Sequence, residues 1–228
     1  MCNLVTLKAS VAEVASAFGA RRPLTNAQPG EVYPGGQGFV VRDDAGTRAL
    51  QSMTWGFPVR LKHMKPTSKP KPVNNARDDK LMTFWRSWFT NPAQRCLIPI
   101  TAFAEAEGEK GKMTRTWLNV VDQPLAACAG LWRPTDEWGD CYTMVMVDAT
   151  EELFDIHDRM PVILHAADHD AWLQASAEEA MKLVTQYPAN RLEVERTEVP
   201  GSAASPKALI RPPSFESGGR RRRAPSGE

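Results

Sequence analysis

The chain has 228 residues, 42% hydrophobic and 24% charged, enough to bury a real core as one domain or as a domain with a tail. No stretch approaches the length of a membrane span, and the N-terminus lacks the basic region, long apolar run and cleavage site of a signal peptide, so a soluble, globular, cytoplasmic protein is expected. A formal net charge of +1 argues against a uniformly basic protein but leaves room for a local positive surface.

The chain opens Met-Cys-Asn-Leu-Val, and Cys2 admits two readings: a buried apolar residue of a first strand, or, if Met1 is removed, an N-terminal residue with an amine and a thiol on adjacent carbons. The other cysteines, Cys96, Cys128 and Cys141, show neither C-x-x-C spacing nor histidines at metal-ligand distance, so neither a zinc site nor a disulfide framework is expected. After a loop punctuated by Gly30, Pro34, Gly35 and Gly36, a hairpin is expected from Gly38–Arg42 and Leu50–Trp55 around an Asp-Ala-Gly turn. The stretch "KPTSKPKPVNNARDD" is rich in Pro and Lys and reads as an exposed loop. A helix should follow, because Leu81, Phe84, Trp85, Trp88 and Phe89 recur at spacings of three and four. Residues 55 to 95 hold nine Lys or Arg against Asp78 and Asp79, whereas residues 96 to 210 hold nine basic against nineteen acidic groups.

Beyond Pro92 the short apolar runs "RCLIPITAFAEAE", "TWLNVV", "LAACAGLW" and "YTMVMVDA" predict strands. "DHDAWLQA" and "AEEAMKLVTQY" predict helices, and "RLEVERTEV" a last strand. Residues 201–228, with the run Arg220 to Arg223, are too polar to offset the entropy of ordering them and are expected to form a flexible basic tail. The expectation is an α+β fold on antiparallel strands, with one domain over residues 1–200.

Four stretches carry side chains suited to chemistry. In "NNARDD", Asn75 and Arg77 flank Ala76; an Arg fork suits a phosphate, while spacing alone favours a pair with Asp78 or Asp79. In "TAFAEAE", alternation places Glu105 on the face of Phe103, where poor solvation would raise its pKa; a solvated strand end is the other reading. "IHDRMPVIL" sets His157 beside Asp158 and Arg159, as a proton carrier or as a turn cap. His63, His165 and His169 are expected at the surface. Finally, the basic segment from Trp55 to Arg95 combines cations with aromatics, the composition of a single-strand nucleic-acid groove, although aromatics at helical spacing also build cores.

Together these residues resemble the SRAP (SOS response-associated peptidase) family, which shields abasic sites in single-stranded DNA. The resemblance rests on Met1-Cys2, "MTWGFPV", "NNARDD", "RCLIPITAFAEAE", "AGLW" and "HDRMPVIL", in that order, over residues 1 to about 185. It implies a β-barrel-like core with peripheral helices and Cys2 at the floor of a positively charged groove. It also implies Cys2 as nucleophile, Asn75 orienting the reactive N-terminus, Glu105 moving protons and His157 assisting the Schiff-base steps. Arg77, Trp55 and Arg159 would contact DNA; the protein would act as a monomer, without metal or cofactor. The alternatives are a cysteine peptidase, either general or acting only on its own Met1, and a non-covalent single-strand binder. The chain departs from the family pattern in three places: Asn3 and Leu4 stand where Gly-Arg is common, Ala104 and Ala106 flank Glu105 where aromatics are common, and Asp79 replaces a frequent Glu.

Overall fold

Strand-forming runs dominate the chain, and strands from its second half close the sheet begun in its first. The computed structural model describes residues 2–22, 27–60, 65 and 68–201; Met1, His63 and the arginine run of the tail lie outside the described residues. In chain order come β1 (Leu4–Thr6), α1 (Val11–Ala17), β2 (Glu31–Val32), β3 (Gln37–Asp44), β4 (Thr47–Trp55), β5 (Phe57–Val59), β6 (Lys71–Val73), β7 (Asn75–Arg77) and α2 (Arg86–Phe89). The strands β8 (Arg95–Ile100), β9 (Ala102–Glu107), β10 (Thr114–Val120), β11 (Ala126–Thr135), β12 (Gly139–Asp148), β13 (Arg159–Pro161) and β14 (Ile163–Leu164) follow, then α3 (His169–Gln174), α4 (Ala177–Lys182) and β15 (Leu192–Pro200). The fold is α+β, mostly strand, as expected.

The hairpin forms as β3 and β4, paired from Gln37–Thr54 to Asp44–Thr47. Its two loop residues, Ala45 and Gly46, have φ of 54° and 83°, the left-handed pair that matches the twist of a tight hairpin. β12 then closes the sheet: it pairs antiparallel with β11 and parallel with β4, so the order β12-β4-β3-β8-β11 returns to β12 as a ring. Leu50, Leu97, Leu131 and Met144, from four of these strands, are buried, which is the barrel-like core.

A second, antiparallel sheet has the order β15-β10-β9-β1-β2. β8 and β9 are consecutive in the chain yet lie in different sheets, so the turn at Thr101 hands the backbone from ring to second sheet. β1 pairs with β9 through Leu4–Ala104, which brings the N-terminal residues to Glu105.

The helices at α3 and α4 form where expected, α4 with a capping box between Ser176 and Glu179. α1 was not expected, although Ser10 and Glu13 form the same box and the Ser-x-x-Glu spacing is visible in the sequence. Two expectations need correction. Residues 71–77 are not an open loop: β6 pairs with β5, and β7 pairs with β12. Nor is 78–89 one helix; a 3-10 turn at Asp78–Lys80 leads through turns to the four residues of α2. The Trp85 N–H donates to the Lys80 carbonyl five residues back at 3.0 Å, widening the chain where the aromatics Phe84, Trp85 and Trp88 disfavour a regular helix. Leu81, Trp85 and Phe89 still reach the core, while Phe84 is exposed.

Candidate functional site

Cys2 is fully buried, and the chain around it is held by its backbone rather than by its thiol. The Cys2 carbonyl accepts two hydrogen bonds, from Asn74 Nδ2 and Asn75 Nδ2, each at 2.9 Å. A carbonyl has two lone pairs, and both have a donor here. Asn75 is fixed because β7 runs alongside β12, with Asn75 opposite Met144. Its Oδ1 is buried with no hydrogen-bond partner among the described residues, an acceptor next to the N-terminal residue. The Cys2 Sγ makes a weak contact of 3.6 Å to the Leu4 carbonyl. Burial pushes the thiol well above its ordinary range, and the Glu105 carboxylate adds to the shift. At neutral pH this sulfur is a thiol, not a thiolate.

Glu105 sits on β9 one residue past the last β1 pair, and it is buried, which retires the reading of a solvated strand end. Burial pushes its pKa up to about 7. Phe103 and Glu105 share a face, as alternation requires, and with Leu118, Ile156 and His157 they line one narrow cleft. Burial holds the His157 ring below its usual pKa. Its Nδ1 accepts from the Arg159 backbone N–H at 3.0 Å, so the neutral ring carries its proton on Nε2. Asp158 Oδ1 is also 2.8 Å from Nδ1, which would favour a charged ring. That carboxylate is 83% exposed and screened by water, so burial and the backbone N–H decide for the neutral form. A base with a pKa near 7 and a neutral imidazole thus face the same space.

The expected DNA-contacting residues divide. Arg77 is exposed, with its fork on Asp79 at 2.9 and 3.2 Å, the carboxylate pairing that the sequence left open. An exposed pair of this kind is worth little and is readily exchanged for another anion. Arg159 instead has a side chain 11% exposed and clamped by Asp78 at 2.6 Å and by Asp148. It is a strut. Trp55 is fully buried, stacks on Tyr142 with centroids 6.2 Å apart, and donates its indole N–H to the Asn74 carbonyl at 3.0 Å. It offers no face to a base; it supports the loop that holds Cys2.

Arg60, Lys65, Lys69, Lys71, Arg77, Lys80 and Arg86 are exposed and supply the positive surface. Arg95, counted with them from sequence, is buried: it donates to the carbonyls of Ala175 and Ser176 where α3 ends, and desolvation lowers its pKa to about 10. His169 is also buried rather than at the surface, stacked on Phe18 with centroids 5.3 Å apart. Sequence reasoning missed Asn74, for which the Asn-Asn doublet was the available signal. Cys96, Cys128 and Cys141 are buried free thiols, and no group of three or more His, Cys, Asp or Glu among the described residues could hold a metal ion. No described helix is long and apolar enough to cross a membrane.

The family profile described as SOS response associated peptidase (SRAP) matches residues 1–200. The abasic site processing protein HMCES of Pongo abelii is 28% identical over 186 residues, covering 64% of this chain and 52% of its own. The abasic site processing protein YoaM of Bacillus subtilis is 27% identical over 226 residues, covering 91% of this chain and 94% of its own. The chain thus spans about half the length of the vertebrate relatives it matches. An X-ray crystal structure of a Bordetella bronchiseptica protein superposes with a TM-score of 0.73 at 26% identity, covering 86% of this chain and 99% of that one. A Bacteroides thetaiotaomicron protein shares the fold with a TM-score of 0.70 at 19% identity, covering 86% of this chain and 91% of that one. With its profile matched over residues 1–200, the chain belongs to the SOS response associated peptidase family.

Proposed function

We propose that this protein, after loss of Met1, captures abasic sites in single-stranded DNA as a thiazolidine on Cys2 and so shields the lesion. The observation that carries the reading is the double amide clasp on the Cys2 carbonyl beside a buried carboxylate of pKa about 7. Relatives named abasic site processing proteins support the choice of lesion.

The chemistry balances with lesion and chain alone. The opened deoxyribose presents an aldehyde; the Cys2 amine, with a reference pKa of about 7.7–8.0, adds to it and expels water to give an imine. An imine left standing invites β-elimination and strand breakage. The thiol adds across the C=N bond, sulfur to carbon and proton to nitrogen, and the five-membered ring removes the electron-withdrawing iminium. Closure within one residue has a high effective molarity. Because burial keeps the sulfur protonated, ring closure needs a base for its proton, and Glu105 near pKa 7 fits that task, with His157 Nε2–H as donor toward the leaving oxygen. Arg77 would exchange Asp79 for a DNA phosphate. Activity is assigned to residues 1–200 acting as a monomer in the cytoplasm on nucleoid DNA, with the tail dispensable.

The raised thiol pKa weighs against a turnover peptidase, which needs a thiolate. The test is a denaturing gel of protein mixed with a single-stranded oligonucleotide bearing one abasic site. A heat-stable shifted band is expected for wild type and for protein truncated after Pro200, and none for Cys2→Ala. Correctly processed protein giving only salt-sensitive, reversible binding would establish the non-covalent reading instead.

A further inference from the structure

We infer that Asn74, paired with Asn3, is a positioning residue of the site: it locks the backbone of Cys2 and so holds amine and thiol on the side of Glu105. This rests on the covalent reading above. That reading uses the double clasp without giving Asn74 a role of its own, and Asn74 Nδ2 donates both to the Cys2 carbonyl at 2.9 Å and to Asn3 Oδ1 at 3.1 Å.

The arrangement is specific. Successive side chains of a strand point to opposite faces, so Asn74 and Asn75 should not reach one atom. They do because regular pairing breaks at Asn74, between β6 and β7, and both amides converge on the Cys2 oxygen. Asn74 is itself immobile: its backbone carbonyl accepts from Trp55 Nε1 at 3.0 Å and from the Met144 N–H at 3.0 Å. The contacts that fix Asn74 are made by its backbone, whereas those that fix Cys2 are made by its side chain. A side-chain substitution can therefore release Cys2 while leaving the anchor in place.

The need is physical. A residue at the chain terminus frays unless it is tied down. Rotation about the Cys2 Cα–C bond would swing amine and thiol together away from Glu105, and the rate gained by holding reactants in line depends on that angle. Asn3 stands where the family pattern commonly has Gly, and a glycine has no side chain for Asn74 to hold. The Asn3–Asn74 bond is thus a side-chain brace one residue from the nucleophile.

The experiment compares wild type, Asn74→Ala, Asn74→Asp and Asn3→Ala as full-length, Met1-processed proteins. Adduct formation is followed over a range of abasic oligonucleotide concentrations, and deuterium uptake by the peptide from Asn3 to Leu7 is followed by mass spectrometry without DNA. For Asn74→Ala the maximal rate is expected to fall about tenfold at an unchanged half-saturating concentration, the loss of one well-placed hydrogen bond. Asn74→Asp should be slower still, since a carboxylate faces the Cys2 carbonyl and Asn3 Oδ1, and Asn3→Ala should lose less than either. Deuterium uptake should rise in both Asn74 variants. A change confined to half-saturation, or an unchanged rate and unchanged uptake in Asn74→Ala, overturns the inference. Wild-type protein without any adduct would end the covalent reading, and uptake would still decide whether Asn74 restrains the N-terminal strand.

Discussion

Arg159 donates to the Asp78 carboxylate at 2.6 Å, joining the strand that follows His157 to the turn that follows Arg77. The side chain is 11% exposed and Asp78 33%, so the pair is mostly withdrawn from water, while its second partner Asp148 is 72% exposed and adds less. Arg159→Ala leaves Asp78 without its partner and should lower stability by about 2–3 kcal/mol. Arg159→Lys should recover less than half of this, because an ammonium cannot reproduce the fork. Urea denaturation checks both; a loss below about 0.5 kcal/mol in the alanine variant would make the strut a surface ion pair.

Glu105 makes the second prediction. Its folded pKa of about 7 exceeds the ordinary 4.5, so between these values the folded state binds more protons than the unfolded and stability falls as pH rises. Glu105→Gln removes that penalty and should be more stable than wild type at pH 8, on the order of 1–3 kcal/mol, and equal to it below about pH 4.5. Adduct formation moves the other way: the wild-type rate should climb through pH 7 as the base ionises, and the variant should lose that limb and about a hundredfold in rate. A variant with an unaltered pH–rate profile would remove Glu105 from proton transfer.

His169 titrates in the opposite sense. Burial lowers its pKa to about 4 from an ordinary 6.5, so the unfolded chain takes up the proton first and stability is lost as pH falls from about 6.5 toward 4. His169→Phe keeps the stack on Phe18 without a titrating group, and the fall in stability between pH 7 and pH 5 should shrink by about 1–2 kcal/mol. Parallel pH dependences for the two proteins would show that His169 is not the source of acid sensitivity.

Gly38 ties packing to the site. A Cβ there would lie 2.2 Å from the Tyr142 hydroxyl, at the end of a rigid, buried ring that stacks on Trp55. Trp55 in turn bonds the Asn74 carbonyl. Gly38→Ala should therefore cost about 1–3 kcal/mol and also slow adduct formation, although residue 38 is remote from Cys2 in the chain. Thermal melting and the gel assay are read together, and a destabilised variant with a wild-type rate at low temperature would uncouple Tyr142 from the nucleophile.

The strand runs, the tight hairpin turn and the helices α3 and α4 were legible in the sequence because each depends on neighbours a few residues apart: alternation, a two-residue loop, a capping spacing. The order of six short motifs was enough to place the chain in its family. What tertiary structure decided is which side of the surface each charged or aromatic residue occupies. Arg95, Arg159 and Trp55 read as cationic or stacking candidates from composition, and each is withdrawn by partners 19 to 81 positions away: Ala175 and Ser176, Asp78, and Asn74. The helical spacing over 78–89 likewise yielded to the burial of Leu81, Trp85 and Phe89, which turns serve as well as a helix. Local pattern encodes which elements form. Closing the ring through β12 pairs β4 and β7 with a strand far along the chain, and only that closure sets Asn74 and Asn75 together on the carbonyl of Cys2.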